Sequence, residues 1–317
     1  MQEFEILKQK LPGVRANVPL ANHTTFRIGG PAKYFFVAKT AEDTEKATRA
    51  AGELGLRFFL LAGGSNVLVA DKGFGGLVIK MQNAGYQITK TRVRAEAGVA
   101  VATLVRQTGQ RGLSGFEWAG GLPGTIGGAV RGNAGAFGGE IKDIVASVTA
   151  LDEKGSKKVF AKEQCQFGYR NSLFKQKGYV VLSAEFLLSR AQKKDIQAVA
   201  KEHVSYRRER HPLEYPNAGS VFKNCDVQAV PPSVREEFAE AIKHDPFPVI
   251  PTAAILAKAG LGGMRVGGAQ VSQKHPNYIV NRGNATCEDV RLLIEKIKKQ
   301  IQRKFHVALE EEVQYIS

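Results

Sequence analysis

Short hydrophobic segments bounded by glycine or polar turns dominate the first part of the chain, which predicts strands. Hydrophobic runs at 57–61 and 67–69 are separated by a glycine-rich break, a pattern that indicates a strand, a turn and a second strand. The segments 145–151 and 157–161 flank a polar turn and predict a hairpin, and another strand is predicted at 179–188. Strands therefore dominate this part of the chain.

Helical patterns appear once early in the chain and again after about Lys193. Thr40 is a predicted N-cap for a helix with a small-residue face that ends at Gly55, and Thr286 is a predicted N-cap for an amphipathic helix that continues to Phe305. The final segment, 307–316, alternates as a strand and places Glu312 on the same face as Glu310. Its opposite face is predicted to carry Leu309, Glu311 and Val313.

A basic, proline-marked stretch at 207–216 interrupts the chain shortly after the change to helical character, so we place a domain boundary near residue 200. The prediction is a first domain of 1–200, made of two subdomains, and a second of 201–317, with the last strand, about 307–317, returning toward the first. A chain of 317 residues is long enough for two domains that each bury a core.

Composition is that of a globular protein, with 43% hydrophobic and 24% charged residues. No run approaches the ~18 apolar residues of a membrane span, and the first residues lack the apolar core of a secretory signal. We therefore expect a cytoplasmic protein.

The three cysteines, Cys165, Cys225 and Cys287, are far apart and the six histidines are scattered, so we expect free thiols and no bound metal.

The net charge of +15 admits two interpretations. Basic surfaces attract nucleic acids, but the positive residues are dispersed, and no zinc finger, long basic arm or RNA-binding aromatic pattern is present. A pocket for a small, highly anionic ligand accounts for the charge equally well.

Glycine-rich segments are the strongest local signal for chemistry. Ten glycines lie in 115–139, and Gly63-Gly64 lies between the two predicted strands noted above. Glycine lets backbone N–H groups approach an anion closely, so two such segments suggest a cofactor with a diphosphate. Neither the GxGxxG fingerprint nor a Walker A loop is present, which disfavours a Rossmann dehydrogenase and a P-loop NTPase. The alternative is tight turns between packed strands.

Several motifs, in order along nearly the whole chain, resemble the UDP-N-acetylenolpyruvoylglucosamine reductase family. They are 22–32 (NHTTFRIGGPA), 61–69 (LAGGSNVLV), 121–129 (GLPGTIGGA), 167–174 (FGYRNSLF), 215–224 (YPNAGSVFKN), 267–272 (GGAQVS), 275–277 (HPN) and 309–313 (LEEEV). An ordered set of matches is far more specific than any single motif.

The resemblance implies an α+β fold, in which an FAD-binding domain of the vanillyl-alcohol-oxidase type precedes a smaller α/β substrate domain. It implies that NADPH is used to reduce UDP-N-acetylglucosamine enolpyruvate to UDP-N-acetylmuramate, a step of peptidoglycan precursor synthesis. FAD is expected to be bound non-covalently, since no flavin-linking motif is recognisable. The FAD contacts implied by motif position are Gly63, Gly64, Ser65, Asn66, Pro123, Gly124, Thr125, Gly127, Gly128 and Ala129.

The resemblance assigns the chemistry to Arg170, Ser220 and Glu312. Hydride reaches the terminal carbon of the enolpyruvyl group and leaves negative charge on the neighbouring carbon and its carboxylate. A guanidinium stabilises that charge with a fixed fork of donors, Ser220 protonates the carbon, and Glu312 stabilises the enol form. Outside the resemblance, Ser220 is more typical of a turn, Arg170 of an ion pair and Glu312 of a solvated face.

Contacts to the substrate are assigned to Tyr169, Arg210, Lys223, Asn224 and Gln270. The spacing between Arg170 and Ser220 is short and no inserted tyrosine-bearing loop is recognisable, so the chain resembles the compact variant of the family. Beyond the UDP-sugar and NADPH, we expect no nucleic-acid, membrane or protein partner.

Two alternatives stay open at this point. An FAD-dependent oxidase of the same domain type would share the fold but would have no reason to match Arg170, Ser220 and Glu312 together. A basic nucleic-acid-binding protein is suggested only by the net charge, and a colourless purified protein would favour it.

Overall fold

The structure is a computed structural model that describes residues 2–244 and 247–317. The helices are α1 Gln2–Lys10, α2 Ala41–Glu53, α3 Val101–Gln110, α4 Ile126–Arg131, α5 Ile141–Ile144, α6 Leu173–Gln176, α7 Lys193–Arg210, α8 Pro232–Glu237, α9 Thr252–Lys258 and α10 Cys287–Phe305.

The strands are β1 Arg15–Pro19, β2 Pro31–Ala38, β3 Phe58–Leu61, β4 Val67–Val69, β5 Phe74–Met81, β6 Tyr86–Thr89, β7 Arg92–Glu96, β8 Leu113–Ser114, β9 Gly135–Ala136, β10 Gly139–Glu140, β11 Val145–Leu151, β12 Lys157–Ala161, β13 Val180–Leu187, β14 Ser189–Arg190, β15 Asn217–Ser220, β16 Cys225–Asp226, β17 Val249–Ile250, β18 Arg265–Val266, β19 Ala269–Val271, β20 Tyr278–Asn281 and β21 Gln314–Ile316. Short 3₁₀ turns connect several of them.

Local sequence signals account for the elements that were predicted. The Thr40 hydroxyl accepts the Asp43 amide at 3.0 Å and the Asp43 carboxylate accepts the Thr40 amide at 3.1 Å, which caps α2 as expected. Thr286 caps α10 in the same way. The predicted hairpin is the antiparallel pair β11 and β12, and the predicted strands at 57–61, 67–69 and 179–188 are β3, β4 and β13.

The chain divides into two compact units. The first comprises residues up to Val18, Ala32–Gly63 and Gly75–Arg207. It carries the four-stranded sheet β1-β2-β5-β3 and the antiparallel five-stranded sheet β12-β11-β13-β7-β6. Its core includes the buried alanines of α2, as the small-residue face predicted.

The second unit comprises Pro19–Pro31, Gly64–Phe74 and Arg208–Ser317. Its main sheet has the order β15-β20-β19-β18, and β21 pairs in parallel with β4. The buried face of α10 packs in a core that also contains Phe26 and Leu68. Three separate stretches of sequence therefore build this unit.

Asp71 shows how the stretch 64–74 is tied to the rest of the second unit. Its carboxylate accepts the amides of Cys287 at 2.8 Å and Glu288 at 3.1 Å, at the N-terminus of α10. A negative charge at this end of a helix satisfies amides that lack intrahelical partners and interacts favourably with the helix dipole.

The prediction of one strand over 307–316 was wrong in length, and it was partly wrong about which residues share a face. Only Gln314–Ile316 is a strand, because the residues before it pair irregularly with the segment after β15, through an isolated bridge between Phe222 and Glu311. Leu309 and Val313 are buried, whereas Glu311, predicted to lie on the same face, is exposed and forms an ion pair with Lys298. An ionised carboxylate is costly to bury, so Glu311 faces solvent.

Candidate active site

Ser220 ends β15 in the second unit, where the strand is bent. Gly219 has a φ of +81°, and the register to β20 shifts between Asn217 and Ser220, so that Ser220 lies opposite Tyr278. The Asn217 carboxamide accepts the Gly219 amide at 3.0 Å and donates to the Tyr215 carbonyl at 2.8 Å. Ser220 is half-buried, and its hydroxyl makes no hydrogen bond within residues 2–244 and 247–317. It is thus available to a ligand.

Glu312 lies beside Ser220 in the same unit. The Glu312 amide donates to the Val221 carbonyl at 2.8 Å, and the Lys223 amide donates to the Glu310 carbonyl at 2.9 Å. The segment that follows Ser220 therefore runs alongside the segment that contains Glu312. Two of the three predicted catalytic residues are brought together, although 92 positions separate them in the sequence.

The loop Gly64–Asn66 joins this pair of segments. The Asn66 side-chain amide donates to the Glu312 carbonyl at 3.2 Å, and a Cβ at Gly219 would lie 3.9 Å from the Ser65 carbonyl oxygen. Gly64 has a φ of +65°, and a side chain there would overlap the His23 carbonyl. Part of the predicted FAD loop is therefore next to Ser220 and Glu312.

Thr25 is a residue of this region for which no sequence motif predicts a catalytic or binding role. Its amide donates to the Gly64 carbonyl at 3.0 Å and its hydroxyl donates to the Asn217 carbonyl at 2.7 Å. Thr25 thereby links the glycine loop to the strand that ends at Ser220. Only the resemblance of 22–32 pointed to it, because no periodicity reports a contact across 192 positions.

Arg170 lies in the first unit, at the tip of a tight turn. Gly168 and Asn171 exchange two backbone hydrogen bonds of 3.1 Å, and Arg170 has a φ of +52°. Its Nη2 donates to the Gly135 carbonyl at 2.9 Å, and its guanidinium carbon lies 5.1 Å from the centre of the Tyr169 ring. The structure therefore places Arg170 against the ten-glycine segment.

The rest of the predicted FAD contacts lie in the first unit and fit a cofactor there. Thr125, the N-cap of α4, has a buried hydroxyl without a hydrogen-bond partner in the described part of the chain. Gly63 approaches Gly124 so closely that a Cβ at Gly63 would lie 2.9 Å from the Gly124 Cα. Gly128 is exposed and a Cβ there would meet only the Thr125 hydroxyl, at 3.9 Å. A glycine cradle with an unpaired hydroxyl suits a ligand rich in acceptors.

Other members of this set have structural contacts. The Gly127 amide donates to the Ala97 carbonyl at 2.8 Å, so that N–H supports the fold. Ala129 is buried and Pro123 is exposed.

Lys80 adds charge near the first glycine loop: its ammonium donates to the Ala62 carbonyl at 2.6 Å, and burial lowers its pKa.

The predicted substrate residues are dispersed. Lys223 forms an ion pair with Glu310, and the Asn224 carboxamide accepts the Thr252 amide at 3.3 Å. Gln270 donates to the Gly263 carbonyl at 3.1 Å, Arg210 is exposed at the end of α7, and Tyr169 lies beside Arg170. The assignment of these five residues to substrate binding therefore stays a prediction.

A surface cleft of about 220 Å³ in the first unit contains none of the predicted site residues. Glu42, Arg94, Glu96 and Lys157 are among its lining residues. This cleft therefore gives no support to the predicted site, which rests on the convergence of functional groups instead. In the described part of the chain no three His, Cys, Asp or Glu side chains cluster as metal ligands, and none of the described helices is long and apolar enough to cross a membrane.

Comparison with known proteins places this arrangement in a family. Residues 32–159 match the model of an FAD binding domain, and residues 211–316 match the model of the C-terminal domain of UDP-N-acetylenolpyruvoylglucosamine reductase. The reductase of Lachnoclostridium phytofermentans is 38% identical over 309 residues, which are 96% of this chain and 93% of that protein. The chain belongs to the UDP-N-acetylenolpyruvoylglucosamine reductase family.

Two further members of the UDP-N-acetylenolpyruvoylglucosamine reductase family support the assignment over the full length. The reductase of Alkaliphilus oremlandii is 36% identical over 320 residues, covering 100% of this chain and 98% of that protein. The crystal structure of the reductase from Thermus caldophilus superposes with a TM-score of 0.76 at 30% identity, and covers 96% of this chain and 100% of that chain. The expected fold class is confirmed, and the chain is an FAD-dependent oxidoreductase.

Proposed function

We propose that the chain reduces the enolpyruvyl group of UDP-N-acetylglucosamine enolpyruvate to give UDP-N-acetylmuramate, with NADPH as the electron donor, and so serves peptidoglycan precursor synthesis. Full-length similarity to reductases of this family supports the proposal. When bound, FAD would carry a hydride equivalent from NADPH to the terminal carbon of the enolpyruvyl double bond.

In this proposal Ser220 gives a proton to the carbon next to the carboxylate. Its hydroxyl is half-buried and engaged with no described residue, so it can take up a position within hydrogen-bond reach of that carbon. A hydroxyl is a weak acid and needs a neighbouring group to support proton release. The segment with Glu312 lies alongside it.

Glu312 and Arg170 are assigned to the charge that develops on the substrate. Glu312 would stabilise the enol form, and Arg170 would bind the carboxylate and the enolate oxygen with its planar fork of donors. Preorganised charges of this kind act most strongly where water is excluded. Both side chains are half-buried.

One observation carries the proposal: the 2.8 Å hydrogen bond from the Glu312 amide to the Val221 carbonyl. This bond holds the main chain next to Ser220 alongside the main chain at Glu312, which supports a shared role for the two residues. An FAD-dependent oxidase of the same domain type would have no reason to match Arg170, Ser220 and Glu312 together.

We also propose that the chain works in the cytoplasm and needs no nucleic-acid or protein partner. Its cysteines in the described part of the chain are free, as is usual where thiols are kept reduced. The charge of +15 then serves capture of anionic ligands. Tight, sequence-selective binding to DNA or RNA at physiological salt would contradict this.

The test is NADPH oxidation by the purified, FAD-loaded protein, followed at 340 nm with and without UDP-N-acetylglucosamine enolpyruvate. We expect oxidation that depends on the enolpyruvyl substrate and formation of UDP-N-acetylmuramate, identified by mass spectrometry. UDP-N-acetylglucosamine is the matched control because it lacks the enolpyruvyl group and should give no turnover. Turnover that needs only oxygen would indicate an oxidase instead.

A further inference from the structure

The hairpin β9–β10, at the end of the ten-glycine segment, has an aromatic residue in its turn. Ala136 pairs with Gly139 and Gly135 with Glu140, which leaves Phe137 and Gly138 as a two-residue turn. Their φ values are +50° and +84°, the pattern of a type I′ turn. Such turns favour Asn-Gly, because a bulky residue is strained in the left-handed region. Phe137 therefore has a role that the turn itself does not explain.

Burial in the core does not explain Phe137 either, because the side chain is 40% exposed. Its ring instead stacks on the His203 ring of α7, with centroids 4.0 Å apart and planes 3° from parallel. Tyr206 meets the same ring edge-on at 5.3 Å, and the guanidinium carbon of Arg207 lies 5.1 Å from its centre. Aromatic and cation–π contacts therefore fix the tip of the hairpin to α7.

The stacking partners are themselves held in place. The His203 Nδ1 lies 2.9 Å from the Glu117 carbonyl oxygen, and since a carbonyl can only accept, Nδ1 is the donor. The Arg207 Nε donates to the Gly120 carbonyl at 2.9 Å. The surface against which Phe137 packs is thus anchored to the backbone of the glycine-rich segment.

The base of the same hairpin contacts Arg170 and its turn. Gly135 provides the carbonyl that accepts Arg170 Nη2 at 2.9 Å. Asn133, just before the hairpin, donates to the Gly168 carbonyl at 3.0 Å and to the Glu140 carboxylate at 2.5 Å. A displacement of the hairpin would therefore shift both the guanidinium of Arg170 and the turn that carries it.

We propose that Phe137 and His203 are positioning residues for Arg170: their stack holds the hairpin so that the Gly135 carbonyl orients the guanidinium. A guanidinium has five N–H donors, so an orienting bond to one carbonyl is compatible with binding a carboxylate. The inference rests on the proposed function, because the role of Arg170 in stabilising the enolate belongs to it.

Substitutions at Phe137 distinguish the contribution of the aromatic ring from that of the turn conformation. Phe137→Asn keeps the favoured Asn-Gly turn and removes the ring, and Phe137→Tyr keeps the stack. In the FAD-loaded protein, stopped-flow absorbance follows flavin reduction by NADPH and flavin reoxidation by the enolpyruvyl substrate separately. We expect F137N to slow reoxidation by about 10- to 100-fold, the loss typical of a group displaced by about 1 Å. Flavin reduction should stay near the wild-type rate, and F137Y should behave as wild type.

A double variant links the effect to Arg170. F137N combined with R170A should be no slower than R170A alone, because the stack acts through the guanidinium. A further loss in the double variant, or equal slowing of both half-reactions by F137N, would overturn the inference. Wild-type rates in F137N would do the same.

A measurement independent of activity is hydrogen exchange followed by mass spectrometry. In F137N, but not in F137Y, amides of both Gly135–Glu140 and the turn Gly168–Asn171 should exchange faster than in the wild type. Unchanged exchange in the second segment would refute the link between the hairpin and Arg170. By contrast, a wild-type protein that the enolpyruvyl substrate does not reoxidise, or an R170A variant without effect, would contradict the proposed function itself.

Discussion

The side-chain amide of Asn66 donates a hydrogen bond of 3.2 Å to the main-chain carbonyl of Glu312. The Asn66 carbonyl in turn accepts the amide of Gln314 at 3.1 Å. The pair is separated by 246 positions in the sequence. A residue of a loop predicted to bind the FAD pyrophosphate is thus a direct support for a residue predicted to act on the substrate.

Replacing Asn66 with Asp should weaken both the fold and the reaction. The substitution exchanges the donor for a carboxylate oxygen that faces the Glu312 carbonyl, so a hydrogen bond is lost and repulsion takes its place. We expect the free energy of unfolding, measured in urea, to be about 1–3 kcal/mol lower than in the wild type. Flavin reoxidation should also be slower. Gln9→Glu makes the same chemical change at an exposed position and serves as the control. Equal stability of N66D and wild type would contradict the role of this bond.

Ser220→Ala should separate the two half-reactions. Reduction of the flavin by NADPH requires no proton delivery to the substrate carbon and should remain near wild type. Reoxidation by the enolpyruvyl substrate should slow by about 10²–10⁴-fold, the usual effect of a positioned general acid. Ser205→Ala removes a hydroxyl from an exposed position of α7 and should change neither step. If S220A slows both steps equally, or neither, Ser220 is a structural residue of the turn.

Arg170→Ala and Glu312→Gln should slow the same half-reaction as S220A, since both remove stabilisation of the developing charge. The loss of one preorganised electrostatic contact typically costs about 10²–10³-fold in kcat. Stopped-flow absorbance of the flavin measures it directly. Impaired flavin reduction in either variant, with normal reoxidation, would assign these side chains to NADPH instead.

Thr125→Val should have opposite effects with and without cofactor. The buried Thr125 hydroxyl has no partner in the described residues, so its removal should stabilise the FAD-free protein, because a buried unsatisfied hydroxyl is unfavourable. If the hydroxyl binds FAD, the variant should hold the cofactor more weakly and release it more readily on dilution. Thermal unfolding with and without added FAD measures both effects. Unchanged FAD affinity would remove Thr125 from the cofactor site.

The buried thiols should react slowly in the native protein and respond to alkaline pH. Burial raises the pKa of Cys165 and of Cys287 to about 12 each, whereas the pKa of an unfolded thiol is about 8.5. Between these values the unfolded chain binds fewer protons than the native one, so stability should fall as pH rises. Denaturation at pH 8 and pH 10 should show this slope, and Cys165→Ala should reduce it. Rapid labelling of both thiols by Ellman's reagent in the folded protein would contradict their burial.

Local patterns predicted the elements whose signals are local. The capping of α2 by Thr40 and of α10 by Thr286 follows from residues within one turn of each helix. The hairpin β11–β12 follows from alternation around a polar turn. The motif set also indicated the family, and the comparisons confirm it.

The final segment marks where periodicity stopped being informative. Alternation placed Glu311 on the same face as Leu309 and Val313, but Glu311 is exposed and the regular strand begins only at Gln314. Pairing with the irregular segment after β15 determines both the exposure of Glu311 and the start of the strand. Such pairing depends on tertiary contacts, which a two-residue periodicity in the sequence does not report.

The sequence by itself determined the elements with local caps and turns, the glycine segments, and the family to which Arg170, Ser220 and Glu312 point. Only the tertiary structure decided that Asn66 supports Glu312, that Thr25 links Gly64 to Asn217, and that stretches 19–31 and 64–74 belong to the unit of the C-terminal residues. The physical reason is that caps, turns and periodicity act over a few residues, whereas these contacts join positions far apart in the chain. Their formation depends on how whole elements pack, which no local pattern records.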